Sequence, residues 1–222
     1  MFNLFKNKNT DKENLDKLLA KSDDYKCVKY SNNKTNISFS LKFLTTLVDE
    51  KTVQESVLPY LLDENFKQIE DVKQIIPLAD VELSEDISQI EQKLFNGSVL
   101  LTIKGKENKF CFLGARKEVG RNVSLPEVEF SVIGPKESFV ESLDQNLNLI
   151  RKRIPVKELI MEKLTVGTLS KTKVAILYID GITNPENINT VRQRIENIEF
   201  DEITDSSYIV QIISDNQNSP FP

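Results

Sequence analysis

The sequence predicts an α/β protein made of two related α/β subdomains, each a small mixed sheet flanked by helices, joined by a short linker. Three observations point there. Stretches of strict apolar–polar alternation are followed by capped segments with helical spacing. One such strand–loop–cap–helix pattern recurs at a constant offset of 135 positions: residues 43–49 align with 178–184, and Val53 falls on Ile188. The echo is one of pattern, without identity. Finally, residues 117–126 follow neither period and carry Gly120, Arg121, Asn122 and Pro126, the composition of a hinge. Together these favour two subdomains over one continuous sheet. The expected partition is an N-terminal arm or loosely docked helix over 1–36, a first subdomain over 37–120, a second over 121–214 and a linker over 215–222.

Residues 1–24 are rich in Lys and Asn, with a weak helical stripe at Leu15, Leu18 and Leu19. Ile37, Phe39, Leu41 and Phe43 alternate as a half-buried strand should. Asp49 offers a helix cap before the stripe Val53, Val57, Tyr60 and Leu61. A second helix is expected over about 64–76 on Phe66, Ile69, Val72 and Ile76, closed by Pro77. Ser84 is placed as the cap of a third, with Ile87, Ile90 and Leu94 inward and Asn96-Gly97 as its stop. Two strands, 98–104 and 110–115, flank a Gly-containing turn and read as a hairpin.

In the second half, 128–133 is extended, and Gly134-Pro135 starts a helix running to Ile154. Its expected buried face is Phe139, Leu143, Leu147, Ile150 and Ile154. Strands follow at 159–166 and 173–179, then a helix opened by Asn184-Pro185-Glu186 with Ile188, Val191, Ile195 and Ile198 on one side. A short strand over 200–203 and a short helix over 208–213, capped by Asp205 or Ser206, complete the pattern.

Composition removes whole classes of function. The net charge is −5 and the pI about 5.1, so the chain lacks the basic surface that nucleic-acid phosphates require. There is no histidine, hence no Ser-His-Asp or Cys-His nucleophile and no His-ligated metal. Cys27 and Cys111 cannot complete a four-ligand zinc site, and their apolar neighbours suit reduced, buried thiols. The longest apolar runs, 98–103 and 174–179, fall far short of a membrane span. No enzyme activity, metal or cofactor is expected.

The candidate sites are accordingly modest. Gly134-Pro135 precedes a helix whose free N–H groups suit an anion, but the Walker spacing is missing. Asp180, Asp201, Glu202 and Asp205 lack the spacing of a calcium loop. Tyr178 and Asp180 sit at the carboxyl end of a strand, the ligand position of open α/β sheets, and Thr45 and Thr46 occupy the echoed position. These four are the candidate ligand-binding residues. Arg151, Lys152 and Arg153 end a helix, where cations complement exposed carbonyls. That basic end is expected to face water, a partner subunit or lipid. Asn146, polar beside the apolar stripe, is expected to bond neighbouring backbone or line an interface. Asn146, Arg151 and Arg153 are the candidate interaction residues.

One longer pattern is specific. It runs Gly134-Pro135-Lys136-Glu137-Ser138-Phe139-x-Glu141-Ser142-Leu143-x-x-Asn146-x-x-Leu149-Ile150-Arg151-Lys152-Arg153-Ile154. It continues through Ser170-Lys171-Thr172, Tyr178-Ile179-Asp180-Gly181-Ile182, Asp201-x-Ile203-x-Asp205-Ser206-x-Tyr208-Ile209 and Ser219-Pro220-Phe221-Pro222. This resembles the A-subunit family of bacterial spore germinant receptors, the GerA family, most strongly over 121–222. Ile133, Ser138 and Leu169 depart from residues usual in that family. The resemblance implies the soluble N-terminal domain of a multipass protein of the spore inner membrane, on the cytoplasmic, spore-core side, with membrane helices after the Ser-Pro-Phe-Pro segment. The implied partners are a permease-like B subunit, a lipoprotein C subunit and further copies of the A subunit. The implied function is nutrient sensing that triggers ion release and germination. Two roles compete for this domain: an interaction module that couples nutrient binding elsewhere to gating, or a two-lobed domain that binds the nutrient itself.

Overall fold

The computed structural model describes residues 8–106, 108–118, 138–198, 200–201 and 206–214. The chain divides into two compact units, Met1–Lys157 and Glu158–Pro222.

The first unit is built on a five-stranded, wholly antiparallel sheet in the order β1-β2-β4-β5-β3. Its strands are β1 (Tyr25–Ser31), β2 (Ser38–Leu44), β3 (Val81–Ser84), β4 (Ser98–Ile103) and β5 (Phe110–Gly114). Pairing of Leu41 with Leu101 and of Leu101 with Cys111 sets one face, carrying Phe39, Leu41, Phe43, Val99, Leu101 and Leu113, all buried. The opposite face carries Leu100, Phe110 and Phe112, also buried. Phe66 meets Phe39 edge-on, with ring centres 6.0 Å apart, on the first face. On the second, Lys93 of helix α5 (Ser88–Phe95) lies over the Phe112 ring, and Asp16 of helix α1 (Lys8–Leu19) takes Lys42. Both faces are covered. That is why β4 reads as an uninterrupted apolar run instead of alternating.

Asp49 caps the helix after β2 as its sequence suggests, accepting from the Lys51 and Thr52 N–H groups. The helix runs as α2 (Glu50–Thr52), a π turn (Val53–Val57) and α3 (Leu58–Asp63). Pro59 has no N–H for the carbonyl four residues back, and the Leu58 N–H reaches five back to Val53. The helix expected over 64–76 is shorter, a 3₁₀ turn (Ile69–Asp71) running into α4 (Val72–Ile75). Ser84 ends a strand instead of capping a helix; its hydroxyl accepts from the Asp86 N–H. Gly97 adopts φ +83 as the stop after α5.

Further features of this unit differ from the sequence expectation. Residues 25–31, placed in an N-terminal arm, form the edge strand β1, paired residue for residue with β2. The pattern conceals it because an edge strand carrying Lys26, Cys27 and Lys29 on exposed positions shows no apolar alternation. Cys27 is therefore exposed, whereas Cys111 is buried as expected. The helix expected from Pro135 begins at Leu143: α6 (Leu143–Arg153) is capped by Ser142, and Phe139 is 67% exposed. Helix α6 also groups with the sheet unit, not with the residues that follow it. Residues 119–126 of the hinge expected at 117–126, the strand at 128–133 and the Gly134-Pro135 start lie outside the described residues.

The second unit is a two-stranded antiparallel sheet, β6 (Leu159–Val166) with β7 (Thr172–Ile179), and two helices, α7 (Pro185–Glu196) and α8 (Ser206–Ile213). Asn184 caps α7 through the Glu186 N–H. Val166 and Ile195 centre a small core joined by Leu164, Val174, Ile176, Val191, Ile198, Ile209 and Ile213. The expected strand at 200 contributes two carbonyls: Phe200 accepts from Thr168, and Asp201 from Leu169 and Ser170. Its later residues lie outside the described set, as does the tail at 215–222. The strand–loop–cap–helix echo is present in each unit, once as β2 into α2 and once as β7 into α7.

Candidate functional site: a buried Asp24–Arg151 network

The β2–α2 loop is pinned from two sides. Asp49 N–H donates to Ala115 O at 2.7 Å and Lys117 N–H to Leu47 O at 2.8 Å. On the other side, the Thr45 N–H donates to the Asp24 carbonyl at 2.7 Å. This fixes Thr46 and Asp24 against each other before any charge is considered.

Asp24, Thr46, Ser22, Asn148 and Arg151 are all buried, and the Arg151 and Asp24 side chains are wholly enclosed. The Arg151 guanidinium grips the carboxylate with two bonds, Nε to Oδ2 at 3.0 Å and Nη2 to Oδ1 at 2.9 Å. Hydroxyls complete the carboxylate shell: Ser22 donates to Oδ1 at 2.6 Å and Thr46 to Oδ2 at 2.7 Å. Arg151 also donates to Ser22 Oγ and to the Val156 carbonyl, each at 3.2 Å, and lies 5.8 Å from the Phe95 ring centre. Asn148, one turn before on the same face, donates to the Thr46 carbonyl. Such a bidentate, hydrogen-bonded fork is the arrangement in which a buried pair recovers its desolvation cost.

The expectation that the basic end of α6 faces outward therefore holds for Arg153, which is exposed, and fails for Arg151. The fully buried residues of α6 are Leu147, Asn148 and Arg151; of the expected stripe Leu147 is buried, Leu143 and Ile150 are half-buried, and Phe139, outside the helix, is exposed. A carboxylate waiting in the interior overrides the general rule that cations at a helix end stay in water. Asn146 bonds neighbouring backbone, clasping Val140 through its N–H at 2.8 Å and its carbonyl at 2.7 Å.

Of the four candidate ligand residues, Thr45 and Thr46 thus belong to the first unit's network, Thr45 through its backbone N–H and Thr46 through its hydroxyl and carbonyl. Tyr178 and Asp180 lie in the second unit. The Tyr178 hydroxyl donates to Glu162 at 2.7 Å, and Arg192 grips the same carboxylate at 2.7 and 2.8 Å. Burial and the bond to Glu162 push the Tyr178 phenol up to about 12, while Arg192, then Tyr178, hold Glu162 below the usual carboxylate range. Asp180 N–H donates to the Glu158 carbonyl at 2.8 Å, continuing the strand pairing. A hollow of about 330 Å³ in this unit is lined by Asn197, Ile198, Phe200 and Ile212, none of them a predicted site residue. Among the described residues no group of three or more His, Cys, Asp or Glu is placed to hold a metal ion.

Sequence reasoning missed Ser22, Asp24 and Asn148 in the first unit and Glu162 and Arg192 in the second. Ser22 and Asp24 stand in a polar stretch where nothing distinguishes a buried Asp from a solvated one. Glu162 and Arg192 lie 30 positions apart and meet only because β6 and α7 pack. Asn148 did carry a signal: it sits three positions before Arg151, one face of one helix.

The described residues thus form two α/β units, each with a carboxylate–arginine pair held by further hydroxyl hydrogen bonds. Comparison makes the family definite. Residues 13–222 match the family described as Bacillus/Clostridium GerA spore germination protein, and the chain belongs to that family. It is 34% identical over 210 residues to the spore germination protein GerQA of Bacillus cereus, covering 95% of this chain and 42% of that protein. It is 31% identical over 184 residues to spore germination protein A1 of Bacillus subtilis (strain 168), covering 83% and 38%. The chain thus spans less than half the length of these relatives. In fold it is similar to the crystal structure of the N-terminal domain of the A subunit of the Bacillus megaterium spore germinant receptor GerK3, with a TM-score of 0.63 and 23% identity over 96% of this chain and 80% of that one. No helix among the described residues is long and apolar enough to cross a membrane.

Proposed function

We propose that this chain is the N-terminal domain of a spore germinant receptor A subunit, and that it works as an interaction and signal-coupling module. In this reading it belongs to a nutrient-sensing complex of the spore inner membrane, lies on the spore-core side, and meets a permease-like B subunit, a lipoprotein C subunit and further A subunits. It couples nutrient binding elsewhere to gating of ion release and catalyses nothing. The observation that carries the reading is the engagement of the candidate ligand groups: the Thr46 hydroxyl is given to Asp24 and the Tyr178 hydroxyl to Glu162. Side chains already satisfied by their own fold leave little for a solute to bind. The alternative, a two-lobed nutrient-binding domain using Thr45, Thr46, Tyr178 and Asp180, needs those bonds to open.

Calorimetry on the 222-residue chain against panels of amino acids and sugars separates the two. The coupling reading expects no saturable heat at millimolar solute. A stoichiometric isotherm abolished by Thr46→Val or Tyr178→Phe establishes the binding domain instead. In spores, Arg153→Gln in the full-length subunit is expected to impair receptor assembly or germination while the domain keeps its stability.

A further inference from the structure

Helix α6 is attached in an unusual way. Where the sheet buries an apolar core on both faces, α6 buries one leucine and two polar residues, Leu147, Asn148 and Arg151. The apolar side chains that flank the helix, Phe139, Val140, Ile154 and Val156, are exposed. Leu143, Leu149 and Ile150 of the helix are half-buried, so its docking combines a limited apolar contact with the Arg151–Asp24 fork and the Asn148–Thr46 bond, which are its fully buried polar contacts.

A contact of this kind has two states and little between. While the site is dry, the pair is strongly held. Once water enters, the local dielectric rises and the attraction drops by about an order of magnitude, while both ions and the amide gain hydration. Lifting α6 off exposes Leu147, but with it Asp24, Arg151 and Asn148, which water solvates well. Asn148 reinforces the point: among the described residues its Oδ1 is the one buried side-chain polar atom with no hydrogen-bond partner. A buried unpaired acceptor is a standing cost of the docked state, relieved on undocking.

The latch also governs the segment beyond the helix. Arg151 Nη1 holds the Val156 carbonyl at 3.2 Å, and Lys157 pairs with Glu91 at 2.9 Å. Residues 154–157, which lead to the second unit at Glu158, are thus fastened to the first unit partly through the same arginine. We propose that α6 and residues 154–157 form a releasable strap, docked by the buried Arg151–Asp24 latch, which undocks as one element while the five-stranded sheet stays folded. The strap lengthens the tether between the units when it opens. It stands on this geometry alone; the coupling reading supplies only its purpose.

Native-state hydrogen exchange on the 222-residue chain tests it. In the unaltered protein, the amides of residues 147–154 should be at least 100-fold less protected than those of β4 and β5. Arg151→Lys keeps the charge but loses the fork, and should lower strap protection at least a further tenfold, uniformly across 147–154, with β4 and β5 unchanged. Asp24→Asn should do the same from the opposite side. Equal protection of strap and sheet in the unaltered protein overturns the proposal. So does a loss of β4–β5 protection in step with the strap in either variant, since α6 would then be part of one cooperative core. Fraying confined to the helix ends, with no response to Arg151→Lys, overturns it as well. A germination defect is not used as a criterion, so failure of the coupling reading remains distinguishable.

Discussion

Gly97 and Gly105 make a matched pair for testing how the loop carrying Thr46 is held. Both adopt left-handed backbone, φ +83 and +81, so alanine at either pays about 1–2 kcal/mol of backbone strain. Each substitution also stiffens the unfolded chain, returning about 0.4–1 kcal/mol. At Gly105 nothing lies within 4 Å of an added Cβ, and the net loss should be about 1 kcal/mol. At Gly97 the new carbon falls 2.9 Å from the Leu47 carbonyl oxygen and 3.1 Å from Arg116 Cγ. The first of these is backbone, already bonded to the Lys117 N–H, and cannot step aside cheaply. Overpacking of this kind adds about 1–2 kcal/mol, so Gly97→Ala should cost about 2–3 kcal/mol in all. Urea titration followed by exchange of the β4 and β5 amides reads the first unit by itself. Because Leu47 follows Thr46, Gly97→Ala should also loosen the Asp24 network and speed exchange at Arg151, which Gly105→Ala leaves alone. Equal costs for the two variants would refute the steric argument and leave only the backbone term.

The remaining expectations are independent of that pair. In the native chain near pH 8 a thiol reagent should modify Cys27 promptly and leave Cys111 unmodified until denaturant is added, since burial pushes the Cys111 thiol up to about 12; two fast equivalents would contradict the fold. Glu162→Gln should cost about 1 kcal/mol at neutral pH. Because the folded carboxyl titrates below its unfolded value, that stability is present above the unfolded pKa near 4.3 and lost as pH falls through the folded one, so the variant should show a flatter acid limb. Arg153→Gln should leave stability within about 0.5 kcal/mol, as for an exposed side chain; a larger loss would give Arg153 a structural role like that of Arg151.

Local chemistry was enough to read much of this chain. Strand β2, the β4–β5 and β6–β7 hairpins, the Asp49 and Asn184 caps and the Asn96-Gly97 stop depend on neighbours within a few residues, and each stands as the pattern requires. The family, too, is written in linear motifs, from Gly134 to the terminal Ser-Pro-Phe-Pro. What tertiary structure alone decided is where the polar groups went. Asp24 and Arg151 are 127 positions apart, and each taken singly has the pattern of a solvated surface residue. Periodicity identifies buried apolar side chains because water rejects them wherever the chain goes. A charge can be buried only if a partner arrives from elsewhere in the fold, and no local pattern announces that arrival. The same reason hid β1, whose place at the sheet edge is set by β2 beside it, and moved α6 to the first unit. Its apolar spacing was visible in the sequence, but the buried arginine fixed which face turned inward.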